Sequence, residues 1–227
     1  MKQQVSYAKQ TIDSPNPIAR FAHKSRINKS IKYTSLLLPD CGSILDFGSG
    51  EGYFLKMLAE EKPQCNLYGY DPYKDRGCNE FTQVKDLDSL KSSSLDVITA
   101  FEVCEHLYEA EIHQFLEQAL RLLQLNGKVV ISVPIMYGSA LIPKEINKML
   151  LYRRSSIYTF SEFNSALFGK SILRPESPRN THKGFDFRWL ENIIGKYFDI
   201  TRKSYSPFNI LPWFMNSQCF LECSKRN

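Results

Sequence analysis

The sequence predicts an α/β fold built on a mainly parallel sheet, with helices on both faces and an antiparallel hairpin at one edge. Three observations predict it. Short apolar runs alternate with amphipathic stretches from Ser43 to Pro134, the pattern of parallel strands joined by helical crossovers. The first run ends in a glycine-rich turn, Gly48-Ser49-Gly50-Glu51-Gly52, that leads into a helix. The last two runs have no long helix between them, so they pair as antiparallel neighbours.

Taken in order, Pro15-Asn16-Pro17 precedes Ile18 to Leu38, where Ile18, Phe21, Ile27, Ile31 and Leu38 have the spacing of a helix or helix pair. Pro39-Asp40-Cys41-Gly42 breaks it. Ser43 to Phe47 reads as the first strand. Tyr53 to Glu60 reads as a helix with Phe54, Leu55 and Leu58 inward and Pro63 beyond its end. Asn66 to Tyr70 is the second strand, closing on Asp71-Pro72, and Phe81 to Val84 the third, ending near Asp86. Leu95 to Phe101 is a buried fourth strand. Glu109 to Leu123 is a helix with Ile112, Phe115, Leu116, Ala119, Leu120 and Leu123 on its apolar face, stopped by Asn126-Gly127. Lys128 to Val133 is the fifth strand, ended by Pro134. Phe187 to Tyr197 is helical, and Ile200 to Tyr205 and Ser217 to Cys223 complete a seven-stranded, Rossmann-like sheet.

A chain of 227 residues with 43% apolar and 23% charged residues suits one globular domain with appendages. No apolar run reaches the roughly 18 residues of a membrane span. Met1-Lys2-Gln3-Gln4 lacks the apolar core of a secretory signal. Cys41, Cys65, Cys78, Cys104, Cys219 and Cys223 form neither a CxxC pair nor a zinc-like spacing, and are expected as reduced thiols of a cytoplasmic protein. The net charge of +5 is unevenly spread. Residues 1–40 carry 7 basic and 2 acidic side chains, 41–140 carry 8 and 15, and 141–184 carry 8 and 3. Solvated helix faces explain such a distribution; basic flanks would also suit a site for an anionic ligand. The expected division is a helical cap over residues 1–40 and a domain over 41–227 with an insertion at about 135–182.

In open α/β sheets, ligands sit beyond the carboxyl ends of the strands where the winding reverses. The turn Asp46-Phe47-Gly48-Ser49-Gly50-Glu51-Gly52 lies at such a point, and its glycines permit close approach of a ligand to backbone. Amides at the start of the following helix favour a negative ligand group. Asp71, near 20 residues on, is placed for ribose hydroxyls. The spacing is not the GxGxxG of a nicotinamide dinucleotide site, and no Lys-Ser/Thr follows as in a triphosphate loop.

Ile44 to Gly52 resembles the first motif of class I S-adenosylmethionine-dependent methyltransferases, and Tyr68-Gly69-Tyr70-Asp71 their second. Leu95-Asp96-Val97-Ile98 through Glu102-Val103-Cys104-Glu105-His106-Leu107 is similar to their fourth-strand motif, and Leu125 to Pro134 to the fifth-strand one, with Asn126-Gly127 where Pro-Gly is frequent. The resemblance implies S-adenosylmethionine as cofactor, S-adenosylhomocysteine as product and in-line displacement at the methyl carbon. It implies Gly48, Ser49 and Gly50 beside the methionine half, with Asp46 near its amino group. Asp71, followed by Pro72, would hold the ribose; Asp86 and Leu87 would meet the adenine, with Asp88 a close alternative to Asp86. Phe101 and Glu102 would face the sulfonium.

A hydroxyl acceptor benefits from a base. The candidates are Glu102, Glu105, His106, His182 and His23, and we take Glu102, His106, His182 and His23 as the catalytic set. Glu102, Glu105 and His106 share a face if their turn is helical; alternatively, Glu102 meets the cofactor while the others sit at a helix start. The Glu-x-x-Glu-His string also resembles the metal site of small-RNA 3′-terminal 2′-O-methyltransferases, with His182 as a further histidine, a set suited to Mg²⁺ or Mn²⁺. Many small-molecule methyltransferases share Glu-His here without metal, and no metal is expected. Tyr137, Tyr152, Arg153, Arg154, Tyr158 and Phe160 in the long segment 135–180 would suit a sugar face, an anionic group or stacked bases. Segments 16–23 and 206–213 resemble those of bacterial surface-glycan methyltransferases. The expected reaction is therefore O-methylation of a small-molecule or glycan-type, anionic acceptor. RNA 2′-O-methylation and a non-catalytic cofactor-binding protein are the alternatives. The mild charge and lack of an appended RNA-binding module weigh against nucleic acid. Residues 208–215 would serve as a lid, a dimer contact or a peripheral membrane contact.

Overall fold

The computed structural model describes residues 17–73, 79–152 and 155–226. Pro15, Asn16, Cys78, Arg153 and Arg154, and the side chains of Ile18 and Tyr152, lie outside the described set.

Seven strands form one sheet: β1 (Ser43–Phe47), β2 (Asn66–Tyr70), β3 (Thr82–Val84), β4 (Leu95–Phe101), β5 (Leu123–Pro134), β6 (Phe198–Ser206) and β7 (Gln218–Lys225). Their order is β3-β2-β1-β4-β5-β7-β6. β3, β2, β1, β4 and β5 run parallel, with Leu45 opposite both Tyr68 and Ile98. β7 enters antiparallel between β5 and β6, so the expected hairpin closes that edge. The winding reverses between β1 and β4, which puts the crevice above the glycine turn.

Alternation along the strands sends neighbouring residues to two cores. On one face Leu45, Ile98, Ala100, Val129 and Ile131 pack with Ile112, Phe115 and Leu116 of α3 (Glu109–Leu122) and with Leu190, Ile193 and Ile194 of α6 (Phe187–Ile194). On the other, Ile44, Leu67 and Val97 pack with Ile31 and Leu38 from α1 (Pro17–Leu37) and its end, and with Leu55 and Leu58 of α2 (Tyr53–Glu61). α1 is one helix rather than a pair, and Phe21 turns outward, 56% exposed. Its inner face is partly polar, with Ser30 and Thr34 buried beside Ile31.

Asn126-Gly127 does not stop α3 as expected. Leu123 is already extended and pairs with Leu95, and the next matched pair is Val97 with Lys128. The dipeptide therefore sits in an irregularity inside a single long strand, where a Cβ on Gly127 would fall 2.9 Å from Asp96 O. Similarly, α6 ends at Ile194, and Gly195 begins the turn into β6.

The long segment after β5 carries α4 (Leu141–Tyr152) and α5 (Phe160–Leu167) and its own small core of Met136, Tyr137, Leu141, Tyr158 and Ala166. The five described cysteines are all unpaired. No described helix is long and apolar enough to cross a membrane.

Candidate active site

The glycine turn is bent back onto β2. Gly48 and Ser49 donate their N–H groups to Tyr70 O at 2.7 and 3.1 Å. Gly50 N donates to Asp71 Oδ2 at 3.0 Å, and Tyr73 N to Asp71 Oδ1 at 2.9 Å. The N–H groups of Gly48, Ser49 and Gly50 are thus spent inside the protein. Each Asp71 oxygen keeps a lone pair for a hydroxyl. Gly50, at φ 56°, has nothing within 4 Å of an added Cβ, so the turn presents an open cradle there. Gly52, at φ 72°, differs: a Cβ would lie 2.2 Å from Phe81 Cε1.

Asp46 lies behind the turn, 4% exposed, and accepts from Thr99 Oγ1 at 2.8 Å. Burial raises its carboxyl to about 7, with the Thr99 bond opposing and Asp71 adding to the rise. The Ser49 hydroxyl is buried without a partner among the described residues and is turned towards Gly69. Pro72 is exposed beside Asp71. Beyond β3, Asp86 caps a short turn by accepting from Asp88 N at 3.0 Å, and Leu87 is buried there. Asp88 is drawn to α3 by Gln118 at 3.2 Å and Arg121 at 3.5 Å, leaving Asp86 as the carboxylate nearer the strand end.

The chain turns sharply after Phe101, whose ring packs edge-on to Phe54 at 4.9 Å. Glu102 adopts φ 59°, a left-handed conformation that costs a non-glycine residue roughly 1–2 kcal/mol. Its N–H is held by Ser132 O at 2.9 Å. The carboxylate accepts from Arg26 Nη1 at 2.9 Å and from Gln218 Nε2. Arg26 Nη2 lies 2.9 Å from His23 Nδ1. Burial, and then Arg26, lowers His23 to about 4, so its ring is neutral and accepts that hydrogen bond. Lys144 reaches in from α4 and donates to Ile135 O at 2.7 Å and Ser217 O at 3.3 Å, with burial lowering it to about 8.

Glu105 and His106 do not sit in the first turn of α3. They lie in a separate tight turn, Cys104–His106, which buries Glu105 completely. Burial, then the charge of Glu102, raises the Glu105 carboxyl well above the usual range. His182 Nε2 lies 3.1 Å from His106 Nε2. Burial lowers both rings, His182 to about 4 with His106 adding to the fall.

The chemistry-bearing residues of the sequence thus fall into a glycine turn (Asp46, Gly48, Ser49, Gly50, Asp71), a clasp (His23, Arg26, Glu102) and an imidazole pair (His106, His182). The aromatics of the long segment divide differently from expectation. Tyr137 and Tyr158 are core residues, with the Tyr137 hydroxyl donating to Gly184 O at 3.5 Å and accepting from Ile172 N at 3.3 Å; Phe160 is 83% exposed. Two described cations there, and Lys183 just beyond, are engaged: Arg174 donates to Glu105 O at 2.8 Å, Arg179 pairs with Glu111 at 2.6 Å, and Lys183 with Glu162 at 2.8 Å. Sequence reasoning missed Lys144 and Gln218. Lys144 bonds backbone oxygens of Ile135 and Ser217, which carry no residue-type signal, and Gln218 meets Glu102 across 116 positions.

A family described as a methyltransferase domain matches residues 18–167, and the chain belongs to that family. It is a class I methyltransferase with S-adenosylmethionine as methyl donor. No curated protein matches it in sequence. Among solved structures, the PH0226 protein from Pyrococcus horikoshii OT3 is 17% identical over 97% of this chain and 96% of its own, with a TM-score of 0.62. A SAM-dependent methyltransferase from Archaeoglobus fulgidus is 17% identical over 91% and 96%, with a TM-score of 0.55. The Haemonchus contortus phosphoethanolamine N-methyltransferase 2, in complex with S-adenosyl-L-methionine, is 15% identical over 88% of this chain and 53% of its own, with a TM-score of 0.53.

Proposed function

We propose that this methyltransferase acts on a hydroxyl of a small-molecule or glycan-type acceptor. The observation that carries the reading is the neutral His106–His182 pair, brought to the carboxyl end of β4 from segments 76 residues apart. Bound S-adenosylmethionine supplies an electrophilic methyl group on a sulfonium. Asp71 and the neighbouring Pro72 hold the ribose. Gly50 leaves room for the methionine half beside Gly48 and Ser49, and Asp46 faces its amino group. Asp86 and Leu87 border the adenine. Phe101 and Glu102 close the sulfonium side. Residues 1–40 act as a cap, and residues of about 135–182 shape the acceptor site. The acceptor hydroxyl is activated at His106 and His182, while His23 and Glu102 position Arg26. The hydroxyl oxygen gains the methyl carbon, the carbon–sulfur bond breaks onto sulfur, and the hydroxyl proton passes to the His106–His182 pair.

Calorimetric titration with S-adenosylmethionine and S-adenosylhomocysteine tests the first half. Asp71→Ala should weaken binding about 10- to 100-fold, the value of a charged hydrogen bond or two. Transfer of labelled methyl to a panel of sugars, nucleotide sugars and lipids tests the second. His182→Ala should bind cofactor normally yet lose roughly 10²- to 10⁴-fold in turnover; unchanged turnover would sink the assignment. A ribose hydroxyl in RNA is the second reading, favoured by His182 meeting the Glu102-x-x-Glu105-His106 string. Steeply salt-dependent RNA binding would select it.

A further inference from the structure

Glu105, His106 and His182 each bring one ligand atom to a common point, all within 4.8 Å of one another. The site is built into the protein rather than scattered over its surface. Glu105 is 0% exposed, and neither of its carboxylate oxygens has a hydrogen-bond partner among the described residues. Buried polar groups are nearly always satisfied, so an orphaned carboxylate facing two imidazole nitrogens asks for a missing partner. Protein groups nearby do not provide it. Arg26 is turned to Glu102, Lys144 donates to carbonyls, and Arg174 bonds the backbone oxygens of Glu105 and Leu107. Glu102 itself is held by Arg26 and Gln218 and stands apart from the set.

We propose that Glu105, His106 and His182 bind a divalent first-row transition-metal cation. One carboxylate and two imidazoles form a mixed oxygen and nitrogen donor set of the kind that holds manganese, iron, cobalt or zinc and leaves coordination positions open. The cation would satisfy the Glu105 carboxylate and take the place of the Nε2-to-Nε2 approach at 3.1 Å. The sequence argued against a metal because many small-molecule methyltransferases share Glu-His here without one; the orphaned Glu105 carboxyl is an observation that only the structure supplies. Resting on the O-methylation reading, the ion would give the site its mode of action: it would acidify a hydroxyl at an open position, whose proton would pass to solvent rather than to either imidazole. Because two donors follow β4 and the third ends the long segment, the ion would also pin residues 178–184 to the sheet edge. That consequence is measurable with no acceptor present.

The full chain, stripped with a chelator, would be titrated with Mn²⁺ and followed by electron paramagnetic resonance and thermal unfolding. Wild type should take up one Mn²⁺ per chain, and its midpoint should rise roughly 5–10 °C at a hundredfold excess over Kd. Glu105→Gln and His182→Ala should lose both effects while still binding S-adenosylmethionine, which shows that they fold. No saturable uptake by wild type, or equal uptake by both variants, overturns the site. Uptake with no turnover on any hydroxyl supports the site and removes the O-methylation reading. Full turnover after chelation removes the metal's role and leaves methyl transfer to the imidazoles alone.

Discussion

Asp46 is a buried carboxyl whose charge state the cofactor should decide. Its unfolded value is near the ordinary 3.8 of an aspartate, and burial lifts the folded value to about 7. Between those values the folded protein binds a proton that the unfolded chain does not. Its contribution to stability is therefore present at acid pH, declines as pH rises from about 4 to about 7, and changes no further above that. A cationic methionine moiety beside Asp46 favours its ionised form. At pH 6.5, binding of S-adenosylmethionine should release part of a proton, read as an apparent enthalpy that depends on the buffer. Asp46→Asn should abolish that dependence and flatten the pH slope of the cofactor-free midpoint. A variant that still released the proton would assign it elsewhere. Residue by residue, the meeting of the glycine turn with Asp71 was legible because its signal is local: glycines in a turn and an acid at the next strand end. The clasp was not. Arg26 finds Glu102 across 76 positions and Gln218 joins them from across 116, distances at which sequence spacing carries no information.

Among the elements, the strand and helix pattern was read well because alternation and helical periodicity follow directly from which face is buried. Boundaries failed where backbone irregularity intervened. Asn126-Gly127 has turn chemistry, yet it lies in a strand because Leu123 has already paired with Leu95. α1 misled through Phe21, since its inward face is stabilised by polar ties that hydrophobic spacing cannot register: Lys29 to Tyr205 O at 2.6 Å and Tyr33 to Ser204 at 3.1 Å. The two glycines of the cofactor turn make opposite predictions. Gly50→Ala places a methyl in open space at the cost of a left-handed alanine, about 1–2 kcal/mol. It should fold and lose cofactor affinity. Gly52→Ala drives its methyl into the Phe81 ring, which packs in the α1–α2 core, and should lose about 3 kcal/mol or more in denaturant unfolding. Equal stability losses in the two variants would contradict this division of labour.

At the scale of the whole molecule, α1 is fastened over the carboxyl edge of the sheet by the Arg26–Glu102 pair, with side chains 11% and 20% exposed. Removing one partner of such a pair strands the other, whereas removing both charges leaves no stranded ion. Arg26→Ala should therefore destabilise the protein by roughly 2–4 kcal/mol, less than a fully buried pair would lose because some solvent reaches it. Hydrogen exchange should show α1 amides losing protection before those of β4, as expected if α1 opens as a unit. Glu102→Gln added to Arg26→Ala removes the stranded charge and keeps an acceptor for Gln218, so it should restore a substantial part of the loss. A double variant no more stable than Arg26→Ala would mean that the arginine acts through packing, not charge. In that case α1 would be held by Lys29, Tyr33 and the Ile31 face, and cofactor affinity should survive Arg26→Ala unchanged. If the charge account holds, the loosened cap should weaken S-adenosylmethionine in Arg26→Ala and tighten it again in the double variant.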